Sequence, residues 1–229
     1  MTHDLRGLSI VVTGGAGALG HAVVTELAEA GAHVVVPTVD DGPGAHAVEG
    51  VRYVPRVDLA DELAVAALYH SLSGLWASVH LAGGFTWAKL EDTTVDAVRG
   101  QWTMNALTCF LCSRAAVTKI RAGGLGGRIV NVTSRGALVP AAGMTAYAMS
   151  KAAVTSLTTT LAEELRDEGI LVNAIAPGII DTPANRASMP TADHARWPKP
   201  NQLARVIHHL VSPDMTVTSG AVVPVYGRS

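Results

Sequence analysis

Apolar runs recur along the chain at residues 8–13, 32–37, 51–58, 76–84, 128–134, 170–178 and 220–227. Between them lie stretches with helical spacing of apolar positions, at 18–31, 60–72, 92–121, 146–169 and 201–211. The runs are continuously apolar rather than alternating, with 51–58 the weakest. Strands of that kind belong to a parallel sheet covered on both faces. Strand and helix alternate over the whole length without a linker, which predicts one α/β domain, doubly wound around about seven parallel strands. Residues 181–200 carry Pro183, Pro190, Pro198 and Pro200 and read as an irregular segment.

Composition narrows the function classes. Of 229 residues, 48% are hydrophobic, enough for a sizeable core, while 16% are charged with a net charge of −2. That balance gives no long-range attraction to nucleic acid or an anionic membrane. The first residues lack a cleavage-like segment, and no apolar run is long enough for a transmembrane helix, so a cytoplasmic protein is expected. Cys109 and Cys112 form a C-x-x-C, but inside an apolar helical stretch and without further ligands nearby. They read as packing residues, and no metal site is expected.

The first strand ends in "TGGAGALG". Gly14, Gly17 and Gly20 would form a turn that lets the backbone approach a pyrophosphate, with Ala18 and Leu19 opening the following helix toward it. The group that meets the adenosine ribose should follow the second strand. Thr38 stands there, in place of the carboxylate that would select NAD. No Arg or Lys lies between residues 7 and 51, while Asp40 and Asp41 would repel a 2′-phosphate. This favours NAD over NADP.

In "AYAMSK", Tyr147 and Lys151 are four apart on a helix and share a face. Ser134 ends the strand before it. Here the sequence resembles the short-chain dehydrogenase/reductase family over nearly its whole length. Its Y-x-x-x-K motif falls on Tyr147 and Lys151, and its serine on Ser134. The resemblance implies a Rossmann fold and further site residues: Asn105 on the long helix, Asp58 and Leu59 at the adenine, Ala82 and Gly83 after the fourth strand, and Pro177, Gly178, Ile180 and Thr182 at the nicotinamide. It also implies an NAD(P)-dependent enzyme that interconverts a carbonyl and a secondary alcohol. Tyr147 would be general acid/base. Lys151 would lower its pKa and bond the nicotinamide ribose. Ser134 would orient the substrate oxygen, and Asn105 would hold a relay water. The lesser alternative for Asn105 is a helix-kink or capping residue.

The expected substrate is a small molecule. Loops 84–91, 135–146 and 181–200 should form its pocket, with Phe85, Trp87, Leu138, Met144, Met189 and Trp197 as an apolar wall and Arg135 and Arg186 as nearby cations. Residues 181–200 resemble the family's substrate lid. His80 reads as a residue satisfying backbone groups, and Trp102 and Phe110 as packing residues. A homotetramer or homodimer is expected through the long helices. Two other readings stand beside this one: a reductase of an imine or quinonoid dihydropteridine, and a catalytically silent nucleotide-binding regulator.

Overall fold

The computed structural model describes residues 4–44 and 47–228. The turn at 38–46 and the reading of the chain's first residues therefore fall partly outside the described residues. β1 (Ser9–Thr13), β2 (His33–Pro37), β3 (Arg52–Val54), β4 (Ala77–His80), β5 (Gly127–Val132), β6 (Ile170–Pro177) and β7 (Val222–Val225) form one seven-stranded sheet in the order β3-β2-β1-β4-β5-β6-β7. Every pairing is parallel. The order reverses between β1 and β4, the place where such sheets open a crevice at the carboxyl ends of their strands.

Successive strand residues feed opposite faces, as the pleat requires. Val11, Ile129 and Val172 join one apolar cluster. Their neighbours Ile10, Val12 and Val130 join the other. The first face is covered by α2 (Glu62–His70), α4 (Thr108–Gly123) and α6 (Thr145–Glu164), the second by α1 (Ala18–Glu29) and α8 (Pro200–Val211).

Local chemistry sets the ends. The Asp61 carboxylate accepts hydrogen bonds from Leu63 N at 2.8 Å and Ala64 N at 3.4 Å, so α2 starts after Asp61. β3 is much shorter than its apolar run, because Pro55 lacks an N–H and Arg56 takes a left-handed conformation at φ 57°. α6 stops at Glu164, short of the expected end, and a 3₁₀ turn leads into left-handed Gly169. The long helix is not continuous. α3 (Val95–Gln101) passes through a π-helical segment, Trp102–Leu107, before α4. Beyond β6, α7 (Pro183–Ser188) and a 3₁₀ turn replace part of the irregular segment, and Pro200 rather than Asn201 opens α8.

Arg128 ties β5 to the end of α8. Its guanidinium is buried over the Trp76 ring at 4.8 Å and donates to the carbonyls of Gly127, Ser212, Pro213 and Met215. No helix of the described residues is long and apolar enough to cross a membrane.

Candidate active site

The two glycine-ended strands, β1 and β4, lie side by side, and their carboxyl ends build the floor of the crevice. Leu81 N donates to Thr13 O at 3.2 Å and Ala82 N to Thr13 Oγ1 at 3.3 Å. Gly14 is left-handed at φ 67°, and a methyl there would meet Ala82 N at 2.7 Å. A methyl at Gly20 would strike Gly14 O and the Gly15 backbone. Gly17 is the N-cap of α1 with φ −79°, so it needs no left-handed freedom. Gly15, not singled out by the sequence pattern, is buried against Val36, where a methyl would lie 2.7 Å from Cγ1. No side chain caps α1, and no acidic residue stands in its first turn. Its free N–H groups at Ala18 and Leu19 face the crevice end of the sheet. This cradle, which side chains would fill, fits the pyrophosphate of a dinucleotide.

The ribose end differs from expectation. Thr38 is buried, and its hydroxyl donates to Asp40 O at 3.1 Å, so it shapes the turn. A cation does reach this edge: Arg56, from the β3–α2 connection, donates to Asp41 Oδ1 at 2.6 Å. It was missed because it lies outside the 7–51 window and arrives from the neighbouring strand. Asp58 accepts from Ala60 N at 2.8 Å, and Leu59 packs on the first apolar face.

Asn105 of the π segment, Ser134 at the end of β5, and Tyr147 and Lys151 of α6 come from three parts of the fold. Ser134 is the N-cap of a short α5 (Arg135–Leu138), its Oγ accepting from Gly136 N at 3.1 Å. Tyr147 is half-buried, with the Phe85 ring edge-on at 4.9 Å. Burial pushes its pKa up and a hydrogen bond with Ser134 pulls it down, with burial the larger effect. The direction is opposite to that expected from a neighbouring ammonium. The Lys151 ammonium turns instead to Val132 O at 2.8 Å, and burial lowers its own pKa to about 8.

Asn105 sits within the π segment, as the helix-kink reading expects. Its Oδ1 accepts from Gly84 N at 3.1 Å, and its Nδ2 lies 3.0 Å from Gly84 O and 3.1 Å from Ser150 Oγ. A methyl at Gly83 would strike Asn105 Oδ1 and come within 3.3 Å of Lys151 Nζ. Gly83 thus joins the β4 terminus to both side chains.

β6 brings Pro177 and Gly178 to the same edge, where Gly178 N donates to Val225 O at 3.3 Å. Ile180 O accepts from Asn185 Nδ2 at 2.8 Å, and the Thr182 hydroxyl caps α7 through Asn185 N at 3.3 Å.

Of the expected pocket wall, Phe85, Trp87 and Leu138 are exposed at the crevice. Trp197 is buried rather than exposed at the crevice, with its ring 4.5 Å from that of His194 and tilted 46° to it. Arg186 is engaged by Asp181 through two bonds of 2.5 and 2.8 Å. Trp102 and Phe110 are half exposed rather than packed inside.

His80 bonds side chains, not backbone. Thr158 Oγ1 donates to Val154 O and accepts from Asn131 Nδ2, which leaves Asn131 Oδ1 to accept from His80 Nδ1 at 2.8 Å. His80 Nε2 then accepts from Ser78, and Ser78 from Tyr69. Burial lowers the His80 pKa to about 4, so the ring is neutral. Cys109 and Cys112 are free and buried beside this chain, their thiols pushed up to about 12 by burial, as packing residues would be. Among the described residues no group of three or more His, Cys, Asp or Glu could hold a metal ion.

A parallel sheet with a phosphate cradle at its switch point, and Ser, Tyr and Lys gathered beside it, defines the class of dinucleotide-dependent oxidoreductases. The chain belongs to the short-chain dehydrogenase/reductase family: the family model described as short chain dehydrogenase matches residues 9–193. The chain is 34% identical to a cis-4-hydroxycyclohexanecarboxylate dehydrogenase of Sinomonas cyclohexanicum, over 95% of this chain and 94% of that protein. It is 30% identical to a 2,5-dichloro-2,5-cyclohexadiene-1,4-diol dehydrogenase of Sphingobium indicum, over 80% and 77%. Among solved structures it resembles a short-chain type dehydrogenase/reductase from Mycobacterium ulcerans, with a TM-score of 0.92, 26% identity and coverage of 98% and 90%.

Proposed function

We propose that this enzyme interconverts a secondary alcohol on a six-membered carbon ring and the corresponding ketone, with NAD(P) as the hydride partner. The observation that carries the reading is the placement of Ser134 and Tyr147 side by side at Gly136, where a methyl would lie 3.6 Å from Ser134 Oγ and 3.8 Å from the Tyr147 ring. Both named relatives are dehydrogenases whose names give ring alcohols, and the exposed Phe85, Trp87 and Leu138 offer a ring-sized apolar wall.

The dinucleotide would lie with its pyrophosphate on Gly14–Gly20 and its nicotinamide end near Pro177, Gly178, Ile180 and Thr182; when bound it supplies or accepts the hydride. Ser134 holds the substrate oxygen. Tyr147, protonated at neutral pH because burial raises its pKa, donates its proton to that oxygen in reduction, and in oxidation it must first lose that proton so that its phenolate can take the one leaving the alcohol. Lys151, close to its own titration at neutral to mildly alkaline pH, supplies the positive charge that favours the phenolate and the hydrogen bonds that hold the ribose. Asn105 orders the π segment and the Gly84 backbone beside Lys151, where it can hold a water for the proton relay. Asp58 and Leu59 border the adenine.

NAD is the expected cofactor, because Asp40 and Asp41 stand at the ribose and the charge of Arg56 is spent on Asp41. The half-exposed Trp102 and Phe110 on α3–α4, with Met149 on α6, form an apolar face suited to a homodimer or homotetramer.

The test is turnover of ring alcohols with NAD⁺ and NADP⁺, set against a quinonoid dihydropteridine. Tyr147→Phe should cut turnover by about 10³-fold while leaving dinucleotide binding in place. Unchanged turnover in that variant would sink the assignment.

A further inference from the structure

We propose that Arg135 receives a carboxylate on the substrate, so that the substrates are hydroxy acids and their keto-acid partners. The inference rests on the reading of Ser134 and Tyr147 as the groups that hold the reacting oxygen.

Arg135 follows Ser134 directly and is exposed. Its guanidinium lies over the Tyr226 ring, 5.5 Å from the centroid. Tyr226 comes one residue after β7, whose last residue Val225 pairs with Pro177 of β6. In the order β5-β6-β7, a side chain reaching from the end of β5 to the end of β7 must cross the carboxyl end of β6, where Gly178 sits. The guanidinium therefore spans the rim of the crevice, on the side away from the phosphate cradle.

The Tyr226 platform is fixed. Arg228 N donates to Arg196 O at 3.0 Å and Arg196 Nε to Arg228 O at 2.9 Å, tying the C-terminal segment to the turn before α8. A guanidinium resting its face on a ring keeps its in-plane N–H donors free, and those donors match the two oxygens of a carboxylate.

Charge supplies the second argument. Among the described residues Arg135 has no carboxylate partner, whereas Arg186 on the adjoining α7 is engaged by Asp181 and the Lys151 ammonium is buried on Val132 O. The residues that follow Arg135, Leu138 and Val139, are exposed and apolar and offer it no competing counter-ion. A cation next to the substrate-orienting serine, held over the Tyr226 ring and lacking an internal counter-ion among the described residues, is suited to an anionic group at the far end of a ring whose hydroxyl sits on Ser134 and Tyr147.

The experiment compares 4-hydroxycyclohexanecarboxylate with its methyl ester, using the NAD⁺-loaded enzyme and its Arg135→Ala and Arg135→Lys variants. The wild type should favour the acid in kcat/KM. Arg135→Ala should reduce the acid-to-ester ratio by about tenfold, mainly through KM for the acid, and Arg135→Lys should restore part of it. In parallel, binding of cyclohexanecarboxylate to the NAD⁺ complex is measured by calorimetry. Carboxylate binding that weakens about tenfold in Arg135→Ala supports the proposal even if no ring alcohol is turned over, a result that would overturn the ring-alcohol reading alone. Equal use of acid and ester by the wild type, or carboxylate binding that is absent or the same in Arg135→Ala, overturns the role of Arg135.

Discussion

β1 and β4 end alike in sequence, an apolar run closing on glycines, yet the two termini are built from different material. At β1 the two glycines that frame the turn face backbone, Gly14 against Ala82 N and Gly20 against Gly14 O, while Gly15 between them meets the Val36 side chain. At β4 the glycines face side chains: Gly83 against Asn105 and Lys151, and Gly84 against Met104. The first terminus is a cradle made by leaving atoms out, so that N–H groups and a helix end stay open to an anion. The second is a slot shaped around polar side chains that must keep their places. A backbone wall cannot yield, whereas a side-chain wall can yield at the cost of its chemistry.

The largest effect is expected where the wall is backbone. Gly20→Ala should destabilise the fold by about 3 kcal/mol, because the added methyl strikes two backbone segments that hold α1 on β1. Dinucleotide affinity should fall by roughly 100-fold, since the N–H groups move off the phosphate. Urea unfolding and fluorescence titration with NADH check both, and a variant of wild-type stability and affinity would mean that the loop is softer than a backbone wall.

Next comes the side-chain chain that anchors β4. The His80 pKa is depressed on folding, from 6.5 to about 4. Between those values the unfolded chain binds a proton that the folded chain excludes, so stability falls as pH drops through the window. From about pH 7 to about pH 4.5 the wild type should lose about 2 to 3 kcal/mol more than His80→Gln, which has no imidazole to titrate. Equal losses in urea melts of the two proteins would show that His80 does not carry this term.

Gly83→Ala should separate the two kinds of wall most clearly. Its methyl meets Asn105 Oδ1 and Lys151 Nζ rather than backbone, so the stability cost should stay near about 1 kcal/mol. Turnover should nonetheless fall by roughly 10- to 100-fold, because both side chains are displaced. A stability loss as large as that of Gly20→Ala, with turnover preserved, would reverse the comparison.

The smallest effect concerns ionisation. With Lys151 held at about 8 by burial, the pH profile of kcat/KM for alcohol oxidation should carry a step near that value. Lys151→Met should remove the step as well as most of the activity, and a step that persists in the residual activity would belong to another group.

The strands, the parallel sheet and the shared face of Tyr147 and Lys151 were legible because each depends on local spacing: continuous apolar runs, a glycine-ended strand, and a separation of four residues on a helix, whereas Ser134 was singled out only through the family resemblance. Element ends were less legible where single residues break a run, as Pro55 and left-handed Arg56 do after β3. Trp197 and Arg186 were placed in the pocket because their segment lies there in sequence. Tertiary packing buried the first, and Asp181 engaged the second. Trp102 and Phe110 fit a helical apolar pattern that does not distinguish a core face from an exposed one.

What the sequence determined by itself, then, is the architecture and the residue types at the site, since these follow from periodicity and short-range motifs. What the tertiary structure decided is everything that depends on meeting across the sheet: Arg56 on Asp41, His80 on Asn131 through the β4–β5 register, Arg135 on Tyr226, and the upward direction of the Tyr147 pKa. The physical reason is common to all four. Pairing and desolvation arise between residues tens of positions apart, and no local pattern of apolar and polar residues records which of them the fold will bring together.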